Sequence, residues 1–101
     1  MKVVINMIKV VAKHFIKEDQ IDLFLTLAKN LVDETVKESG CIHYGLYQDE
    51  KDCTILTMLE EWADKASLEK HMASAHFEEI VPQLSQLMSK SPELNIYKPA
   101  L

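Results

Sequence analysis

Residues 41–62 read CIHYGLYQDEKDCTILTMLEEW. Two runs rich in β-branched, aromatic and other apolar side chains, residues 41–47 and 54–62, flank the charged cluster Asp49-Glu50-Lys51-Asp52. Such runs favour pleated strands, and the charges between them favour a solvated turn, so the stretch is a predicted hairpin. An even-length turn places Cys41 opposite Glu60 and Cys53 opposite Gln48, too far apart along the ladder for an intrachain disulfide. An odd-length turn instead moves Tyr44 to the face shared by Glu60 and Trp62. With no metal spacing and no Cys-x-x-Cys pair, both cysteines are expected to be buried thiols in a reducing compartment.

The hairpin is flanked by a strand and helix on one side and by a helix and strand on the other. Residues 3–16 carry Val3, Val4, Ile5, Ile8, Val10, Val11, Phe15 and Ile16 and read as a strand. Glu18 and Asp19 bring acid to a helix start, and Ile21, Phe24, Leu25, Ala28, Leu31, Val32 and Thr35 follow on one helical face. Gly40 is expected to end this segment in the left-handed conformation. Beyond the hairpin, Asp64 can cap a helix through Ala66, Leu68 and Met72, and Ser74 stands where a second N-cap belongs. Phe77, Ile80, Val81, Leu84, Leu87 and Met88 form another helical stripe, which Pro82 should bend or restart. Pro92 closes it, and residues 94–97 are a short last strand. The order β-α-β-β-α-β predicts an α+β fold of ferredoxin-like type, an antiparallel sheet with its helices on one face.

The 101 residues suffice for one domain spanning positions 1–101. All 11 basic residues are Lys, against 16 acidic ones, a net charge of −5 that disfavours nucleic-acid binding. No apolar run approaches the roughly 20 residues of a membrane span, and Met1 to Asn6 has too short an apolar run for a signal peptide, so the expected location is the cytoplasm. Apolar residues make up 48% of a chain that can build only a small core. The surplus predicts that the sheet face away from the helices meets a partner.

Glu60 and Trp62 lie two apart on the third strand and share a face with Leu56 and Met58. A carboxylate on an apolar face is costly unless paired, and its pKa rises. Glu60 is therefore either a structural acceptor from a helix N-terminus or His71, or a proton acceptor in a pocket. His71 and His76 flank the helix break at Ser74, which could aim both inward as bases or as packing residues. Neither has a third ligand at metal-site spacing, so no metal is expected. His14 and His43 read as surface or edge residues. Trp62, Tyr44, Tyr47 and Phe77 are core aromatics or the walls of a pocket for an aromatic molecule. With only Gly40 and Gly45 there is no phosphate loop, and no nucleophile-elbow, Rossmann or Walker pattern occurs.

Glu38-Ser39-Gly40-Cys41-Ile42-His43-Tyr44 resembles the Glu-x-Gly-Cys-x-x-Tyr signature opening the second strand of antibiotic biosynthesis monooxygenase (ABM) domains. Glu60-Glu61-Trp62, then Leu68-Glu69-Lys70-His71 and Ser74-Ala75-His76-Phe77, are similar to that family's second block. The resemblance implies a dimeric α/β barrel, two sheets packed face to face, with a small pocket in each subunit between sheet and helices. It also implies a cofactor-free monooxygenase acting on a small quinol-like or phenolic molecule. Such a substrate, once deprotonated, can reduce oxygen itself, so the protein supplies a dry pocket, a base and hydrogen-bond donors. Glu60, His71 and His76 would handle protons, and Trp62, Tyr44 and Phe77 would form the walls. The His that binds iron in haem-degrading relatives is replaced by Val81. A phosphosugar-isomerase role would need a clamp from Lys9, Lys13 or Lys70 without any Arg. The alternatives are a non-catalytic small-molecule-binding or stress-response barrel protein, or an isomerase of a small carbonyl compound.

Overall fold

The computed structural model describes residues 6–101. The chain forms β1 (Ile8–Ile16), α1 (Ile21–Thr35), β2 (Cys41–Gln48), β3 (Ile55–Trp62), α2 (Lys65–Met72), α3 (Ala75–Ser85) and β4 (Met88–Tyr97). The strands make one antiparallel sheet in the order β2-β3-β1-β4. This is the expected ferredoxin-like α+β arrangement, with the second helix divided in two at Ser74. Of the expected first strand, residues 3–5 lie outside the described residues.

Alternation along the strands decides what is buried. Ile8, Val10, Ala12 and Ile16 of β1 and Leu56, Met58, Glu60 and Trp62 of β3 face the helices and are buried. Phe24, Ala28, Leu31 and Thr35, at spacings of four, three and four, are the buried residues of α1. The opposite sheet face carries Val11, Phe15, Leu59, Tyr47 and Tyr97, and the last three are exposed. A Lys9–Glu61 pair at 3.0 Å crosses that face.

Register in the hairpin follows the odd-length alternative. Tyr44 pairs with Glu60, and Cys41 pairs with Trp62 rather than Glu60. The turn explains the shift. Asp49 Oδ2 accepts from the backbone N–H groups of Lys51 and Asp52, and Asp52 Oδ1 accepts from that of Thr54. These bonds hold residues 49–55 as an odd-length loop between the paired Gln48 and Leu56. Cys53 therefore sits exposed on the turn and Cys41 is half-buried, so neither is the buried thiol expected, and both are unpaired.

Three further boundaries differ from expectation. α1 ends at Thr35, where tightened turns take over through Lys37 N–H to Glu34 O and Glu38 N–H to Thr35 O. Gly40 has no left-handed φ; it is needed because α2 passes so close. A β-carbon there would collide with the Ser67 side chain and stand 3.5 Å from its α-carbon. Leu87 and Met88 leave the helical stripe, since Leu87 O accepts from Lys17 N–H and Met88 pairs with Ile16. β4 thus begins six residues earlier than Leu94, and Pro92 falls in its register irregularity on an edge strand, where a missing donor is tolerated. Pro82 neither ends nor restarts α3; it and Glu78, whose carbonyl loses its donor, are both exposed to water.

Gly40→Ala should destabilise the chain by about 1–3 kcal/mol through overpacking. Urea unfolding would measure this, and pairing it with Ser67→Gly should recover part of the loss; equal stability of Gly40→Ala and the parent chain would refute the close approach.

Candidate active site

Two polar groups stand on the helix side of the sheet. The first is Glu60, which the β3 alternation places between Met58 and Trp62 with 7% of its surface exposed. Its Oε1 accepts a hydrogen bond from Trp62 Nε1 at 2.9 Å. Burial pushes its carboxyl up to about 7; the Trp62 N–H opposes that shift and the negative charge of Glu38 adds to it. Of the structural partners anticipated for Glu60, neither a helix N-terminus nor His71 is used.

Glu60 lines a cavity of about 140 Å³ between the sheet and α3, with Tyr44, Phe77, His14, Leu84 and Leu94 among its walls. A second hollow of about 60 Å³ shares Glu60, Phe77 and Leu94 and adds His71. An apolar cavity of roughly 150 Å³ accommodates one benzene ring, so the larger space has the scale of a single aromatic ring. Tyr44 is a wall because of the corrected register, and its hydroxyl is held firmly protonated by burial and by the charges of Glu60 and Glu38. Trp62 is fully buried and lines neither space; it holds Glu60 instead.

The second polar group is a cluster around Glu38. His71 Nδ1 lies 2.7 Å and His76 Nε2 2.9 Å from the same atom, Glu38 Oε2. The chain break between α2 and α3 makes this convergence possible. Ser74 donates its hydroxyl to His71 O at 2.6 Å and accepts from Phe77 N–H at 3.3 Å, capping α3 and turning the chain between the two imidazoles. Glu38 arrives from the turn between α1 and β2, whose Cys41 N–H donates to Glu38 O. The His71 ring lies against Trp62 at 4.7 Å between centroids and meets the edges of Phe77 and Tyr44 at 5.1 and 5.2 Å. Burial pushes its pKa down, against the pull of Glu38, which favours a neutral ring.

The predicted trio is therefore divided. Glu60 and His71 share the smaller hollow, while His76 joins His71 through Glu38 and lines neither space. Glu38 was not among the expected site residues; periodicity does not mark a turn residue, and the one signal it carried was its place at the head of the Glu-x-Gly-Cys-x-x-Tyr stretch. His14 was expected at the surface or an edge; it is half-buried on the cavity wall, with Nδ1 3.1 Å from Leu56 O and its pKa lowered by burial. Its even-numbered place on β1 after Val10 and Ala12 carries that signal.

A sequence model described as antibiotic biosynthesis monooxygenase matches residues 7–83, a span that contains Glu38, Glu60, His71 and His76. The chain belongs to the antibiotic biosynthesis monooxygenase family. A conserved protein of Methanosarcina mazei is similar in structure, with a TM-score of 0.91 and 49% identity over 93% of each chain. A crystal structure titled antibiotic biosynthesis monooxygenase superposes with a TM-score of 0.89 and 34% identity, covering 93% of this chain and 99% of that one. An uncharacterised protein of Synechocystis is 32% identical over 82% of this chain, which spans 56% of that protein's length. No helix among the described residues of this ABM chain is long and apolar enough to cross a membrane.

Glu60 links the site to stability. In the unfolded chain its proton leaves near 4.5, in the folded chain near 7. Between those values the folded state binds the extra proton, so this contribution to stability falls as pH rises. The ionised carboxylate then costs about 3 kcal/mol above pH 7. Glu60→Gln keeps an acceptor for Trp62 and should be more stable than the parent at pH 8.5 by up to about 3 kcal/mol. The two should converge near pH 4.5. Urea unfolding at both pH values checks this, and a pH-independent difference would count against it.

Proposed function

We propose that this ABM chain is a cofactor-independent monooxygenase acting on a small quinol-like or phenolic molecule bound between the sheet and α3. The observation that carries the reading is Glu60, a buried carboxyl poised near neutrality on the wall of a ring-sized cavity. A base works best when its pKa lies near the working pH. Glu60 takes the proton of a ring hydroxyl, and the electron-rich anion reduces oxygen. One oxygen atom joins the ring and the other leaves in water, so quinol and oxygen give a hydroxyquinone and water. Tyr44, Phe77 and the aliphatic walls keep water from the reactive anion. His71 and His76 have supporting roles: His71 is the second polar group beside Glu60, and His76 helps hold it through Glu38.

Oxygen uptake with a panel of simple quinols tests the reading. kcat/KM should climb between pH 6 and 8 as Glu60 ionises, and Glu60→Gln should lower it by roughly 10²–10⁴-fold. Ligand-dependent thermal stabilisation with no oxygen uptake and no altered product would replace this reading with the binding-protein alternative.

The sheet face away from the helices is proposed to pack on a second copy of the chain. Leu59, Tyr47 and Tyr97 lie exposed there beside Val11 and Phe15, an apolar surface that a monomer leaves in water. Light scattering should give about twice the 11.6 kDa chain mass, and Leu59→Lys should shift the protein toward monomer. A monodisperse monomer of the unaltered chain would contradict the packing.

A further inference from the structure

We propose that Glu38, His71 and His76 form a binding site for a divalent first-row transition-metal ion, with zinc and cobalt as representative occupants. One ligand atom from each residue lies within 4.8 Å of the other two. The three donors come from separate places in the chain: the turn after α1, the last turn of α2 and the first turn of α3. They form the two-imidazole, one-carboxylate set that suits borderline ions such as zinc, cobalt or ferrous iron better than magnesium or calcium.

Distances support the assignment. Two ligand atoms bound to one such ion stand about 2.9–3.4 Å apart. The nitrogen-to-oxygen separations here are 2.7 and 2.9 Å and all three ligand atoms lie within 4.8 Å of one another, so an ion enters as the carboxylate retreats and the two imidazoles turn toward the vacated centre. The charge pattern agrees with this. Glu38 keeps only 17% of its side chain exposed, and its ion-pair partners among the described residues are the two imidazoles, with no ammonium in reach.

Access is available from one side. A surface hollow of about 190 Å³, lined by Glu38, Ser39, Gly40, Ser67 and Lys70, brings solvent to the carboxylate. When Nδ1 of His71 binds an ion, the ring proton belongs on the opposite nitrogen. Glu60 lines the same hollow as His71, and its hydrogen bond among the described residues goes to Trp62 instead. The site stands independently of the proposed reaction, since it requires no substrate and no turnover.

Equilibrium dialysis of chelator-stripped protein against cobalt, with elemental analysis and the visible spectrum of bound cobalt, tests the proposal. One cobalt per chain is expected, displaced by zinc, with zinc also raising the melting temperature. Glu38→Gln preserves size and hydrogen-bonding ability, and His76 is part-exposed, so both Glu38→Gln and His76→Ala should fold, as circular dichroism would verify. Each should weaken cobalt binding by roughly 10- to 100-fold or more. Cys53→Ser, which removes the exposed thiol, should leave it unchanged. No stoichiometric uptake at micromolar free cobalt would overturn the proposal and leave the cluster as a hydrogen-bonded clasp. Uptake undiminished in both Glu38→Gln and His76→Ala would overturn it equally.

Discussion

A carboxyl held out of water on the helix side of β3 sets the terms for everything around it. Strand alternation gives Glu60 no other direction, since Leu56, Met58 and Trp62 must face the same way to fill the core. The fold accommodates the group with one neutral donor, the Trp62 indole, and with no fixed positive charge in ion-pair reach among the described residues. An ammonium in that place would hold the carboxyl ionised and weakly basic. A single neutral donor leaves it near its tipping point at neutral pH, at a cost in stability that a hydrophobic residue would not carry.

The neighbouring cluster depends on two interruptions of regular structure. α1 stops at Thr35, so the following turn can deliver Glu38, and the chain turns at Ser74, so two imidazoles five residues apart aim at one oxygen. A continuous helix from Lys65 to Ser85 would spread His71 and His76 around its circumference. Gly40 belongs to the same arrangement, because only a residue without a side chain lets the Glu38 turn lie against Ser67 of α2. The aromatic box of Trp62, Tyr44 and Phe77 then closes around His71 and keeps its ring from solvent.

These dependencies explain what was legible in the sequence. The elements, their order and the helix-facing residues of β3 follow from periodicity, and the caps at Asp64 and Ser74 from local chemistry, because each signal lies within a few residues of its effect. Hairpin register was not legible, since it turns on whether Asp49 and Asp52 fold the loop into an odd or even number of residues. Glu38 stood out only as the first residue of the Glu-x-Gly-Cys-x-x-Tyr stretch, and its role beside the two imidazoles was not legible. Its partners lie 33 and 38 positions away, and only the tertiary packing of Gly40 on Ser67 brings its turn to them. His14 was within reach: the parity that buried Val10 and Ala12 applies to it, and a polar side chain alone argued for the surface.

The absence of Arg, at first a statement about excluded partners, bears on the chemistry of the cavity. Among the described residues no Lys lines the two hollows on the helix side of Glu60, Lys9 bordering instead a third hollow with Val11 and Leu59, and the charged neighbour that acts on Glu60 is the carboxylate of Glu38. A molecule arriving as an anion would enter a negative, poorly hydrated space with no fixed cation to receive it. A neutral ring carrying a hydroxyl meets apolar walls and a carboxylate able to accept its proton. In the proposed reaction such a site would select the protonated form on binding and create the anion only after water has been excluded. Burial raises the proton affinity of Glu60, with a smaller addition from the charge of Glu38, and the same burial makes an unpaired anion costly to admit, so exclusion of charged molecules and readiness to accept a proton share a cause in desolvation.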